Sequence, residues 1–266
     1  MIRRLAGLAV LALTLAAGSA TAQTALRDLC PDRPGKGSPP CILDAGHIQA
    51  EIAFADVQRD RQSGVTSDSA AYGDLELRAG LTDRLEFQAA WSPFLSVHQK
   101  AAGVSTRETG VGDLTLALRA SLKNPDGQGL SIALQPFLSA PTATHGFGAG
   151  GWEGGLIAPM SLPLTPDLTL ALSPELDVVR DGAGSGTHLA WTAAAGISHG
   201  FGPVQLGVEL WTTRDDDPAG ATTQASFDLT AAWTPSDNIQ LDAGLNAGLN
   251  HDTPDIEFYA GLARRF

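Results

Sequence analysis

The chain has 266 residues, 43% hydrophobic and only 17% charged, with 30 glycines and a formal charge of −12 from 29 acidic and 17 basic residues. An excess of carboxylates this large repels phosphate backbones and excludes nucleic acid as a partner. Beyond the N-terminus no stretch reaches the roughly 18 apolar residues a spanning helix needs, and no helix-length amphipathic segment occurs, which leaves an all-β class.

The N-terminus reads as an export signal. Met1 to Arg4 supplies a positive start, Leu5 to Ala17 an apolar run and Ala20-Thr-Ala22 a small-residue cleavage site, so residues 1–22 are the expected signal peptide. Residues 23–45 then form an N-terminal periplasmic segment, in which Cys30 and Cys41 flank a Pro/Gly-rich stretch. In an oxidising periplasm a lone pair fits a disulfide better than a metal site, which wants further ligands. The loop reads as a short plug or a simple tether.

From residue 46 to 266 the chain divides at turns. Short signals fall at Thr82-Asp83, Asn124 to Gly127, Thr165 to Asp167, Gly200 to Pro203 and Pro235 to Asp237. Longer polar or Gly-rich stretches lie between them, at 59–70, 100–110, 141–151, 181–186, 215–220 and 250–254. Short turns alternating with longer loops are the pattern of an outer-membrane barrel. The segments between them predict about twelve strands, near 46–57, 71–80, 84–97, 111–122, 129–139, 153–164, 168–179, 188–199, 203–213, 223–234, 238–249 and 255–266. Alternation is clearest where Leu114, Leu116 and Leu118 oppose Asp113, Thr115 and Arg119, and where Ile239, Leu241 and Leu245 oppose Gln240, Asp242 and Asn246. The expected fold is a closed, antiparallel, up-and-down transmembrane β-barrel, because an open edge in lipid would leave backbone groups unpaired. Sparse aromatics, five Trp and two Tyr, keep a secreted sandwich or solenoid as the competing fold.

The last strand puts Ile256, Phe258, Ala260, Leu262 and Phe266 on one face and Glu257, Tyr259, Gly261, Ala263 and Arg265 on the other. Its terminal ring, Phe266, is the expected assembly signal for the barrel-assembly machinery, with outer-membrane lipid as the surrounding partner. Arg264, on the lipid parity, is expected to snorkel to the interface.

Strand parity turns Glu51, Asp74, Glu76, Glu86, Asp113, Glu175, Asp177, Glu209, Asp228, Asp242, Glu257 and Tyr259 inward, with Arg78, Arg119 and Arg265. Twelve strands leave a narrow, partly filled bore, and a lining of mostly one sign favours the opposite charge. The expectation is a pore for neutral or cationic small-molecule solutes; the opposing reading is that these carboxylates pair with arginines and only hold the strands. No cofactor, metal or catalytic set is expected. The six histidines are scattered, no Gly-x-Ser-x-Gly elbow occurs, and Gly146 to Gly151 has no helix after it to bind phosphate. The alternatives to a channel are a barrel hydrolase, built for example from Ser92 or Ser198 with His98 or His199, and a structural or adhesive surface barrel.

The Cys30-Pro-Asp-Arg-Pro34 stretch, Ala45 to Glu51, the Arg78 to Glu86 hairpin, Val111 to Leu114, Leu241 to Asn246, and Pro254 to Glu257 with Gly261 to Phe266 resemble, in this order, the family named for the MetA pathway of phenol degradation. That resemblance implies a barrel of about twelve strands in the outer membrane and passage of small organic molecules, aromatic or hydrophobic ones among them. It brings no catalytic residues. Arg264 is a departure from the family, in which Tyr is more usual there.

Overall fold

The computed structural model describes residues 26–266; the expected signal peptide lies outside the described residues. All regular structure in them is β, in sixteen strand segments. In chain order these are β1 (Ile48–Gln62), β2 (Val65–Ala71), β3 (Asp74–Thr82), β4 (Leu85–Trp91), β5 (Leu95–Ala101), β6 (Val104–Gly110), β7 (Leu114–Lys123) and β8 (Ser131–Ala140). They continue with β9 (Glu153–Ile157), β10 (Met160–Pro163), β11 (Leu168–Arg180), β12 (Thr187–Phe201), β13 (Val204–Asp215), β14 (Thr222–Ser236), β15 (Ile239–Gly248) and β16 (Ile256–Arg265).

Four pairs of these segments are single strands with an interruption. β2 and β3 pair in turn with the upper and lower parts of β1, β4 and β5 pair with β3 and β2, and β6 and β7 pair with β5 and β4. β9 and β10 likewise both lie between β8 and β11. Two of the four interruptions hold a proline, Pro93 and Pro159, which has no N–H for a ladder. The result is a twelve-stranded antiparallel barrel, closed where β16 pairs with β1 from Gln49↔Arg265 to Arg59↔Ile256. Closure runs to the last residue: the Phe266 N–H donates to the Ile48 carbonyl at 2.8 Å.

The wall is turned inside out relative to a soluble core. Leu116, Leu118, Leu206, Leu229, Leu241, Leu245 and Phe258 are exposed on the outside, while Glu51, Arg78, Glu86, Arg119 and Asp228 are at most 1% exposed within. A sandwich would place these rows the other way round. Outward Leu rows suit lipid as solvent.

Two stretches differ from the sequence expectation. Residues 59–70 and 100–110, read above as loops, continue as strands to tight turns at Ser63-Gly64 and Ala102-Gly103. All four of these turn residues have positive φ, the geometry that matches strand twist in a two-residue hairpin. Their strands carry polar residues on both faces, so hydrophobic alternation does not reveal them. The second difference is a bulge in β1 between Ala53 and Ala55. One extra residue inverts parity, which turns Asp56 and Gln58 inward beside Asp74.

Candidate functional site

The barrel interior holds the N-terminal segment. From Arg27, beside Asp83 at the short-turn end, the segment rises to Lys36 and returns to Ile42, whose N–H donates to the Pro125 carbonyl at 3.0 Å. Cys30 and Cys41 form a disulfide across the two legs. A segment with no ladder of its own must satisfy its backbone from elsewhere. Here the wall supplies side chains. The Asp32 and Arg33 N–H groups donate to Glu51, Gly35 to the Tyr259 hydroxyl at 2.8 Å, Lys36 and Gly37 to Glu209, Ser38 to Ser173 and Leu43 to Glu86. Prolines 34, 39 and 40 have no N–H to place.

The foot of this plug is a closed ionic network. Arg119 grips Asp32 with two bonds, at 2.8 and 2.6 Å, and its Nε donates to Gln135. Arg78 forks onto Glu86, reaches Glu51 at 3.1 Å and Asp32 at 3.0 Å, and donates to the Cys30 carbonyl. Gln49 and Gln88 donate to the same carboxylates. Burial alone would push the Asp32 carboxyl up, but the Arg119 and Arg78 guanidiniums outweigh it and hold it below the usual carboxylate range. Around the foot, Arg33 bonds Asp242 at 2.9 Å, and Arg265 donates to the Arg27, Asp237 and Asn238 oxygens.

The apex sits in a row of inward residues set by register: Glu209, Asp228, Asn246, Glu257 and Gln58 lie side by side on β13, β14, β15, β16 and β1. Lys36 Nζ donates to Glu257 at 2.8 Å and lies 4.7 Å from the centre of the Trp211 ring. Trp211 therefore faces the lumen. One row toward the short-turn end, Tyr259 fills the space over Gly244, where any Cβ would collide with its ring.

Not every inward residue meets the plug. Asp74 and Asp177 each keep one buried oxygen with no partner among the described residues. Asp113 has another task. It accepts the N–H groups of Thr142, Ala143 and Ala149, pinning the 141–152 loop at the opposite mouth. Phe147 of that loop lines a cavity of about 280 Å³ together with Asp56, Asp74 and Ser96.

The space left beside the plug is a cavity of about 290 Å³ against β10 to β14, lined on the wall by Ser161, Thr169, Ala171, Ser173, Ala194 and Ser198. Small and hydroxyl side chains dominate it, and Glu209 is its one wall carboxylate. The hydrolase candidates are not assembled: His98 pairs with the Ser105 hydroxyl, and Ser198 and His199 are neighbours on one strand and so point to opposite faces. Asp32, Arg33 and Lys36 were not read as site residues, because their partners are set by three-dimensional register. Their one sequence signal was the Cys-flanked, Pro/Gly-rich stretch.

A family model described as "Putative MetA-pathway of phenol degradation" matches residues 31–266. No curated protein sequence matches the chain. Among solved structures, an outer membrane channel from Pseudomonas putida F1 is similar over 88% of this chain and 99% of its own, at 19% identity and a TM-score of 0.67. The beta domain of the Bordetella autotransporter BrkA covers 84% of this chain and all of its own at 14% identity and a TM-score of 0.54. The KdgM porin in complex with oligogalacturonate covers 83% and 99% at 11% identity and a TM-score of 0.50. At these identities the likeness establishes the fold, that of outer-membrane barrels.

Proposed function

We propose an outer-membrane channel for small organic molecules, proceeding from the fact that the chain belongs to the MetA-pathway of phenol degradation family. The observation that carries this reading is the nature of what fills the bore. Apart from the Ile42 N–H bond to the Pro125 carbonyl, the plug is held through side chains, so it can shift or leave without breaking any strand-to-strand bond of the wall. Such an arrangement is suited to a passage and serves no purpose in a solid core. The cavity beside it, lined by Ala and hydroxyl side chains, suits small, partly apolar solutes, aromatic ones among them. The inward carboxylates favour neutral or cationic solutes over anions.

In this reading residues 1–22 direct export, residues 23–45 enter the barrel from the periplasm, and 46–266 span the outer membrane with the short turns in the periplasm. Phe266 is the signal read by the barrel-assembly machinery. The protein carries no chemistry of its own. The similar channel from Pseudomonas putida F1 supports the reading without fixing a solute.

The refolded mature chain in planar bilayers under a salt gradient is the direct test. The expected result is measurable conductance with a cation-preferring reversal potential, together with swelling of liposomes in small neutral aromatic alcohols. A sealed bilayer and unresponsive liposomes overturn the channel; anion preference overturns the role given to the carboxylates.

A further inference from the structure

We propose that the outer face of the barrel, where β1, β2, β5 and β6 rise toward the long loops, binds a phosphorylated glycolipid headgroup of the outer leaflet through Arg59, Arg61, Lys100 and Arg107. The inference takes from the channel reading only the placement of the barrel in the outer membrane with its long loops outward.

Register lays this face out in rows. Tyr72 and Phe94, both exposed, lie on it with ring centres 6.0 Å apart. One row further toward the loops stand Phe258, Val57 and Ala70, side by side on β16, β1 and β2. The next row is Ile256, Arg59, Asp68, His98 and Arg107, paired in turn across β16, β1, β2, β5 and β6. Arg61 and Lys100 stand in the row beyond it. Two residues of strand rise about 7 Å, so the face passes from apolar to cationic over the depth of one headgroup layer.

The cations of these rows are only partly used. Arg59 donates through Nε to Asp68 at 2.6 Å, Arg61 through Nε to Asp255 at 3.0 Å, and Arg107 through Nε to the Ser96 hydroxyl at 3.1 Å. Among the described residues the terminal nitrogens of all three, and Lys100 Nζ, have no further partner. The four cations thus outnumber Asp68 and Asp255, on a chain whose formal charge is −12. A guanidinium with both terminal nitrogens open takes a phosphate by two bonds. Arg59 and Arg107 are three strands apart, about 14 Å at roughly 4.8 Å per strand. Two phosphates on one disaccharide headgroup can meet both, whereas a lone phosphodiester meets one. Beneath the cations a groove of about 430 Å³ joins Val57, Tyr72 and Phe258 to Arg59, His98 and Arg107, so an acyl chain and its headgroup find adjoining places. An acidic protein surface would answer the cations and leave the apolar half of that groove unmet.

The test is a titration of the refolded full mature chain in dodecyl maltoside micelles with bisphosphorylated lipid A, the complex being counted by native mass spectrometry. Saturable binding is expected. Lipid A stripped of both phosphates, and phosphatidylglycerol, should bind about tenfold or more weakly, and inorganic phosphate at equal concentration should displace nothing. Each guanidinium removed should weaken binding about fivefold, so an Arg59→Gln, Arg107→Gln double variant should lose about tenfold or more while keeping the heat-modifiable gel migration of a folded barrel. Arg214→Gln, on β13 in another sector, should bind as the unaltered chain does. Binding to the unaltered chain should also weaken between about 0.1 and about 0.5 M sodium chloride, a measurement that needs no variant. Unchanged affinity in the double variant, indifference to salt, or equal binding of the phosphate-free lipid or of phosphatidylglycerol overturns the site. Conductance without lipid binding rejects this inference and leaves the channel standing; lipid binding without conductance removes the channel and keeps the site.

Discussion

Near the short-turn end the plug is held by its own Asp32 and by Glu51 and Glu86 of the wall, and every carboxylate oxygen of the three is bonded to Arg78, Arg119, a glutamine or a backbone N–H. At its apex a single ammonium, Lys36, stands among Glu209, Asp228 and Glu257, bonding Glu257 through Nζ and Glu209 through its N–H, and no guanidinium joins them among the described contacts. The same kind of residue does two different things in one bore. Where guanidiniums and amides match the carboxylates bond for bond, the charges position a segment. Where they outnumber the cations, they hold the segment by fewer bonds. The foot is thus built as an anchor and the apex as a catch, so release should begin at the apex.

The largest test of this contrast is Arg119→Met. It takes both bonds of Arg119 from Asp32 and leaves Arg78 as the one guanidinium for Asp32 and Glu86, and removing one partner of a buried pair costs up to about 3–5 kcal/mol. A marked fall in the urea midpoint of the detergent-solubilised barrel and a rise in conductance are expected. Asp228→Asn, which removes a charge that no guanidinium meets, should leave that midpoint unchanged or raise it. Equal losses in the two variants would erase the distinction between anchor and catch.

Next in size is the disulfide. Closing a loop between Cys30 and Cys41, eleven residues apart, limits the freedom of the undocked plug by about 3 kcal/mol in the chain-entropy picture. A Cys30→Ser, Cys41→Ser double variant should therefore show more frequent or longer open events in single-channel records. Unaltered gating would mean that the side-chain contacts alone set the docked population.

Strand order and closure were legible in the sequence because the membrane imposes one apolar face: the Leu rows of β7 and β15 alternate over their whole length. That signal fades where lipid ends. β6, Val-Ser-Thr-Arg-Glu-Thr-Gly, is exposed at nearly every position and carries no apolar face to detect. Parity also misled at one place, since the β1 bulge hid Asp56 and Gln58 from the inward set. The inward charges themselves were readable, but not their division of labour. Whether Glu86 meets a guanidinium and Asp228 meets none depends on which residues face each other across the bore, and on Asp32 and Lys36 arriving from a segment with no periodicity.

A smaller effect separates the foot from the apex by pH. Asp32 titrates below the usual carboxylate range when docked and near about 3.9 when free, so ionised Asp32 favours docking. That contribution is complete above the free value and is lost as pH falls through the lower, docked one. Conductance should be flat from pH 7 to about 5 and rise below about 4. A rise already between pH 7 and 5 would move the onset of release away from Asp32.

The least disruptive change lies at the other mouth. The 141–152 loop hangs on three N–H bonds to one carboxylate, Asp113, and on exchanges between Thr144 and Val111. Asp113→Ala removes the first set and keeps the second, a loss of about 1–3 kcal/mol at an exposed rim where water replaces part of what is taken away. Barrel stability should not change. Cleavage of the folded protein within residues 141–152 by added protease should speed up several-fold, and withdrawal of the Phe147 ring should widen the mouth next to Asp56 and Asp74. If the conductance of Asp113→Ala equals that of the unaltered chain while cleavage accelerates, the loop is a cover that limits nothing, and the plug alone sets the resistance of the pore.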